Sequence, residues 1–356
     1  MEFYYDSDRP NRYSYSSVNA SVVSARFMGP LCRRLIRFVP QSIPANAITL
    51  LGSASCWLAF LILSGILVGP LSAFAPGRPW IFGVAGLLVF GYQLADSLDG
   101  LQARRNGCSG PLGEFLDHWL DSLNAFLLPL GIALAFPSIP PAIATIGVFI
   151  FAIADWLTGR SVLEKGIMEF GPIGGEEGLT LIYLFLFAFW ILGYRFWSSP
   201  SMIHGFPPVW MVYAIVPIAY AFIAISELEH AAGAKAEFAI LVATLLPLLV
   251  WIAVDYPRDG SNALLVGGLA MGGAGVRFAG DVLRDRLLGL RYEPCFVPYI
   301  AMDLILLASV LIPGLPGWAP MSAATIALAI VAWSLASQMT RTVARVRFVT
   351  GRGLFD

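Results

Sequence analysis

The chain has 356 residues, a length that would suit two soluble domains, but hydrophobic residues make up 58% of it, charged residues only 13%, and its mean hydropathy is +0.74. Soluble domains carry about a quarter charged residues, so lipid must replace much of the water around this fold. A net charge of −1 removes the electrostatic case for nucleic acid, and four isolated cysteines (Cys32, Cys56, Cys108 and Cys295) support neither a disulfide scaffold nor a structural zinc site.

In chain order, the first 20 residues are polar and rich in Tyr and Ser, and are not expected to form a cleavable signal peptide. Residues 30–39 read as a short interfacial helix. Pro30 suits its first position, Leu31, Leu35 and Phe38 share one face, and Arg33 and Arg37 point towards headgroups. A positively charged flank that only sets topology is the plainer alternative. Ten apolar stretches of membrane-spanning length follow, near residues 48–69, 80–99, 113–136, 141–160, 177–197, 208–228, 236–256, 263–282, 294–312 and 323–339. The expected class is therefore an all-α polytopic membrane protein of about ten transmembrane helices.

Charge supports that count. With both termini inside, 19 of the 22 Lys and Arg fall in inner segments, and only Arg78, Arg195 and Arg258 lie outside. A miscounted helix in mid-chain would scramble this asymmetry. Trp80, Trp197 and Trp210 sit near span ends, as an aromatic belt requires. The glycine-rich run 267–275 reads as a close helix-packing face, since no P-loop lysine follows it.

The chemistry is expected where charge enters the membrane. An ionised residue at the centre of a span costs about 2.5–3.5 kcal/mol. Yet the second and third spans carry Asp96, Asp99, Asp117 and Asp121. Asp96 and Asp99 are i,i+3 and share one helix face; Asp117 and Asp121 are i,i+4 and share another. A connection over residues 100–112 lets the two helices return antiparallel and brings the carboxylates together. Four hard oxygen ligands suit Mg²⁺, Mn²⁺ or Ca²⁺, and can hold two ions by bridging, a device for phosphoryl chemistry. Arg104 and Arg105 alone cannot balance four carboxylates. Helix glue is the bland alternative.

The run Asp96-Ser-Leu-Asp99-Gly100-Leu-Gln-Ala103-Arg104, then eight residues, Gly113, three residues, Asp117, three residues and Asp121 resembles the signature of the CDP-alcohol phosphotransferase family at every fixed position. The resemblance implies a six-helix core with two divalent ions, Mg²⁺ or Mn²⁺, caged by Asp96, Asp99, Asp117 and Asp121, and a CDP moiety contacted by Gly100, Ala103, Arg104 and Gly113. The segments around Pro44–Gly52 and Pro111–Ser122 look like the choline/ethanolamine phosphotransferase branch, which places Asn46 on a substrate-contacting asparagine. Trp119 and Leu120 depart from the Gly-Cys usual there, and Glu176-Glu177 from the usual Thr-Glu.

On this resemblance residues 1–47 form a cytoplasmic segment, 48–228 the catalytic core and 229–356 a four-helix membrane region. The implied reaction moves phosphoethanolamine or phosphocholine from CDP-ethanolamine or CDP-choline to a lipid hydroxyl such as that of diacylglycerol, releasing CMP. A homodimer is implied too. The base that takes the acceptor proton is His118 or Asp121. His118 alternatively orients a metal-bound carboxylate. Asp155, Glu176 and Glu177 either recognise an ammonium headgroup or, for the glutamates, complement a helix N-terminus. Asp303 is an intramembrane charge with functional and packing readings equally open. His204 and His230 read as solvated. A phosphatidyltransferase using CDP-diacylglycerol with inositol or glycerol phosphate, a ceramide acceptor, and a transporter or cation channel are the alternatives. The active site is expected to face the cytoplasm, from an ER or Golgi membrane in a eukaryote or the cytoplasmic membrane in a bacterium.

Overall fold

In a bilayer the backbone must satisfy its own hydrogen bonds, and long apolar runs do so as helices. A computed structural model describes residues 17–19, 21–69, 80–165, 168–170, 174–200, 205–231, 233–289, 297–351 and 353–355. Arg9, Arg12, Arg78, Arg291, Arg352, His204, Cys295 and the side chain of His230 fall outside that description. The helices are α1 (Gly29–Leu35), α2 (Ala45–Leu63), α3 (Trp80–Asn106), α4 (Pro111–Ala135), α5 (Pro141–Lys165), α6 (Gly175–Ser198), α7 (Pro208–Ser226), α8 (Lys235–Asp259), α9 (Ser261–Leu287), α10 (Val297–Leu311) and α11 (Ala319–Thr350). Nine of them, α2 to α9 and α11, are long and apolar enough to cross a membrane. α10 is apolar but has 15 described residues, and residues 290–296 before it lie outside the description. Nine of the ten expected spans thus fall on helices of membrane-spanning length in a multi-pass membrane protein, and the one near 294–312 meets the shorter α10 among the described residues.

Three local features differ from the sequence reading. Ser17–Asn19 and Met168–Phe170 form a parallel two-stranded pairing with Ser17 opposite Met168, which ties the N-terminal segment to the α5–α6 connection. Three residues are too few to show an alternating pattern. The expected connection over residues 100–112 is mostly helix, because α3 runs on to Asn106 and ends at Gly107 with φ 64°. Two polar side chains anchor that extension. Gln102 donates to the carbonyls of Pro40 and Ile43 at 2.9 and 2.8 Å, and Arg105 donates to those of Ile36 and Val39 at 2.6 and 2.9 Å. Trp197, expected in an aromatic belt, is instead buried. Gly193, at φ 77°, kinks α6 so that Tyr194 stacks on Phe136 and Trp197 meets Phe189 edge-on at 4.7 Å. Trp80 is 53% exposed at the start of α3, as an interfacial anchor should be.

The interfacial segment docks on α3 through Met28 and Cys32, which pack with Ile48 and Leu98. Burial pushes the Cys32 thiol up from its ordinary pKa. Arg33, Arg34 and Arg37 face outward, and Phe38 is 81% exposed beside them, the arrangement of a helix lying on a headgroup layer.

The bundle is organised around α9, which packs against α4, α5, α8 and α11. Its small residues make this possible. An added methyl at Gly267 would overlap Ile252 of α8, at Gly272 the Phe126 ring of α4, and at Gly275 Ala152 of α5; at Gly273 it would come within 2.7 Å of Val331 on α11. The packing reading of residues 267–275 therefore holds, and helices from both sides of residue 228 share one apolar core. Gly275→Val should lower the thermal midpoint in detergent by the equivalent of about 1–3 kcal/mol through overpacking. Gly91→Ala on α3, where the new methyl meets nothing within 4 Å, should leave it unchanged or slightly higher.

Candidate active site

Two helices bring the acidic residues together, with α2 packed against both. α3 carries Asp96, Asp99, Gly100, Ala103 and Arg104 towards its C-terminal end. α4 opens at Pro111, a residue suited to a first turn, and carries Gly113, Asp117, His118 and Asp121 within its first three turns. The ligand atoms of Asp117, His118 and Asp121 all lie within 4.8 Å of one another. The Asp96 carboxyl reaches across from α3 to hydrogen-bonding range of Asp117 and Asp121. Asp99 stands outside this tightest group but close enough to Asp96 and Asp117 to repel them.

Two hydroxyls that the sequence reading did not single out orient these carboxylates. Tyr92 donates to Asp121 Oδ1 at 2.6 Å, and Thr49 Oγ1 donates to Asp99 Oδ2. Tyr92 stands one helical turn before Asp96, so the i,i+4 rule could have found it. Thr49 comes from α2, which no spacing rule connects to Asp99.

The donor set fits a divalent cation. Four carboxylates gather among apolar helices, and among the described residues no Lys or Arg forms an ion pair with any of them. Asp117 Oδ1 is buried without a hydrogen-bond partner. A cation would satisfy that oxygen and balance the charge, where the structure otherwise leaves both uncompensated.

The residues expected to contact CDP lie beside this cluster. Arg104 is exposed and curls over Gly100, its Nη1 3.4 Å from where a Cβ would stand. Asn46 turns its Oδ1 towards Gly113, 3.4 Å from the corresponding position there, while its Nδ2 donates to the Leu354 carbonyl at 2.6 Å. Ala103 is half-buried on α3, and its carbonyl accepts the Cys108 N–H at 3.0 Å as the helix closes. Arg105 is committed to the backbone of residues 36 and 39 and is not an alternative partner for the carboxylates.

The flanking acids separate into distinct roles. Glu177 accepts from Ser21 Oγ and the Val23 N–H through Oε1, and from the Gly174 N–H through Oε2. It caps α6 and fastens the N-terminal segment, the helix-terminus reading. Glu176 approaches Asp96 closely enough to repel it, and Asp155 accepts from Ser122 Oγ at 3.0 Å, next to Asp121. Trp119 points away from the cluster. Its Nε1 donates to Gln338 of α11 at 2.9 Å, and its ring lies where a Cβ on Gly280 would be 2.8 Å away. Glu114 forms a buried ion pair with Arg286 of α9. Glu114, one turn before Asp117, thus ties α4 to α9, and Trp119, on the face opposite the aspartates, ties it to α11.

Comparison with known proteins bears on the same stretch. Residues 42–199 match the model of the CDP-alcohol phosphatidyltransferase family. The matched stretch takes in α2 to α6 and every position of the aspartate motif. A Dictyostelium discoideum protein named Uncharacterized CDP-alcohol phosphatidyltransferase class-I family protein 3 is 33% identical over 192 residues, 53% of this chain and 47% of that one. Choline/ethanolaminephosphotransferase 1 of Arabidopsis thaliana is 33% identical over 203 residues, 53% of this chain and 48% of its own. Cholinephosphotransferase 1 of Gallus gallus is 31% identical over 200 residues, 53% and 56% respectively. The chain spans about half the length of these relatives.

Loss of the orienting hydroxyls gives a test of the cation fit. Mn²⁺ binding, read by electron paramagnetic resonance on the purified protein, should weaken by roughly 10–100-fold in Tyr92→Phe and in Thr49→Val. Unchanged binding in both would show that these hydroxyls do not support a metal site.

Proposed function

We propose that this chain is an integral-membrane CDP-alcohol phosphotransferase that transfers phosphoethanolamine or phosphocholine from the CDP-alcohol to a diacylglycerol-like hydroxyl, releasing CMP. The observation that carries the reading is the grouping of Asp117, His118 and Asp121 on an apolar helix, with Asp96 reaching in from α3 and one Asp117 oxygen orphaned, in a stretch that matches the CDP-alcohol phosphatidyltransferase family. The names of the Arabidopsis and chicken relatives point to the choline and ethanolamine donors.

In this reading Asp96, Asp99, Asp117 and Asp121 hold two Mg²⁺ or Mn²⁺ ions. Such ions neutralise a pyrophosphate and stabilise charge on a leaving phosphate. The chain's own residues supply position. Gly100, Ala103 and Gly113 leave room for the cytidine diphosphate to approach two helix backbones, and Arg104 and Asn46 bind its polar groups from either side. The acceptor oxygen forms a bond to the phosphorus that carries the alcohol as the bond from that phosphorus to the CMP oxygen breaks. A ring nitrogen of His118 takes the acceptor proton, since Asp121 already accepts from Tyr92 and is expected to hold an ion. Residues 48–228 act as the catalytic core and 229–356 brace it. The site faces the cytoplasm, where the arginine asymmetry puts the α3–α4 connection, and family resemblance adds a homodimeric state.

The test is formation of labelled phospholipid by purified protein from CDP-ethanolamine or CDP-choline with diacylglycerol and Mg²⁺ or Mn²⁺. Product is expected only with metal, and should vanish in Asp121→Asn. His118→Ala should lower the rate by roughly 10²–10⁴-fold if His118 is the base. A loss of less than tenfold would make His118 an orienting residue. No product from either donor, with lipid formed from CDP-diacylglycerol instead, would replace this reading by phosphatidyl transfer.

A further inference from the structure

Asp155 lies on α5 between the buried side chains of Ala154 and Trp156, one hydrogen bond from the residue that follows Asp121. Its two oxygens are unequal. Oδ1 accepts from Ser122 Oγ at 3.0 Å, whereas Oδ2 is shut away from solvent with no hydrogen-bond partner. Among the described residues no Lys or Arg pairs with it; Arg160, further along the helix, pairs with Glu164 at 3.5 Å. The Tyr220 hydroxyl, close enough to feel the Asp155 charge, is spent on the Ala125 carbonyl at 3.0 Å. A buried carboxylate with one oxygen satisfied and the other bare calls for a donor that brings both a positive charge and an N–H.

We propose that Asp155 is the headgroup-selecting residue of this site and that it favours a donor whose alcohol carries a primary ammonium over one carrying a trimethylammonium. This rests on the phosphotransferase reading above and adds to it which CDP-alcohol is used. An ammonium can donate an N–H to Oδ2 and cancel its charge. A trimethylammonium has no N–H, would leave Oδ2 unsatisfied, and is held best by open aromatic faces. Two rings close to Asp155, those of Trp156 and Tyr220, do not offer them. Trp156 is fully buried with Phe238 packed against it, and the Tyr220 ring meets Phe151 edge-to-face at 5.2 Å. Glu177 cannot take this role, since both of its oxygens serve the α6 terminus and the N-terminal segment.

Binding separates this inference from the reading beneath it. The full chain in detergent with Mg²⁺ is titrated calorimetrically with CDP-ethanolamine, CDP-choline and CDP-glycerol, which share the nucleotide and differ in the alcohol. The wild type should bind CDP-ethanolamine roughly 10–100-fold more tightly than the other two. Asp155→Asn keeps an oxygen for Ser122 while removing the charge, and should abolish the preference by lowering CDP-ethanolamine affinity to that of CDP-choline. Equal binding of the three donors by the wild type, a preference for CDP-choline, or an ethanolamine preference that survives in Asp155→Asn would overturn the inference and leave the phosphotransferase reading standing. Failure of all three donors to bind would overturn that reading and this inference with it.

Discussion

Four carboxylates inside the membrane-spanning helices constrain everything around them. Even at partial depth, where each ionised group costs less than the about 2.5–3.5 kcal/mol of mid-span, an uncompensated set of four would oppose both insertion and folding. The fold supplies partial relief through the hydroxyls of Tyr92 and Thr49, and it supplies no Lys or Arg ion pair to the four among the described residues. It thereby concentrates negative potential and leaves Asp117 Oδ1 bare. Such an arrangement is costly as a structural device and well suited to a divalent cation, whose own charge reverses the local balance.

Holding like charges together requires a rigid frame, and α9 is its centre. Its glycines let four helices approach it at once, and its C-terminal half meets α4 and α11 through Trp119, Gln338, Asp281 and the Glu114–Arg286 pair. Glu114 precedes Asp117 by three residues and Trp119 follows it by two, so both anchors act on the turns that bear the aspartates. The last four helices carry no recognisable motif, yet they fix the rotation of the helix that does. This gives Trp119 an account in packing: opposite Gly280, a large ring fits where an added methyl would not.

The most legible features in the sequence were those with a period or a fixed spacing. The nine long apolar helices among the described residues follow from run length, the two carboxylate faces from i,i+3 and i,i+4 spacing, and the α9 packing face from its glycines. What could not be read were contacts set by tertiary structure. Thr49 reaches Asp99 from another helix, Gln102 and Arg105 extend α3 by bonding to backbone far away in sequence, and Gly193 redirects Trp197 into the core. Glu177 and Asp155 looked alike as acids near span ends. Only their hydrogen bonds separate a capping residue from one with an oxygen still bare.

The central claim, that the aspartates of α3 and α4 hold divalent metal, is tested most directly by anomalous scattering at the manganese edge from crystals of the protein grown with Mn²⁺. The account predicts anomalous peaks between Asp96, Asp99, Asp117 and Asp121, with Asp117 Oδ1 among the ligands. Peaks only elsewhere, with these four carboxylates bonded to one another and to Tyr92 and Thr49 alone, would contradict it.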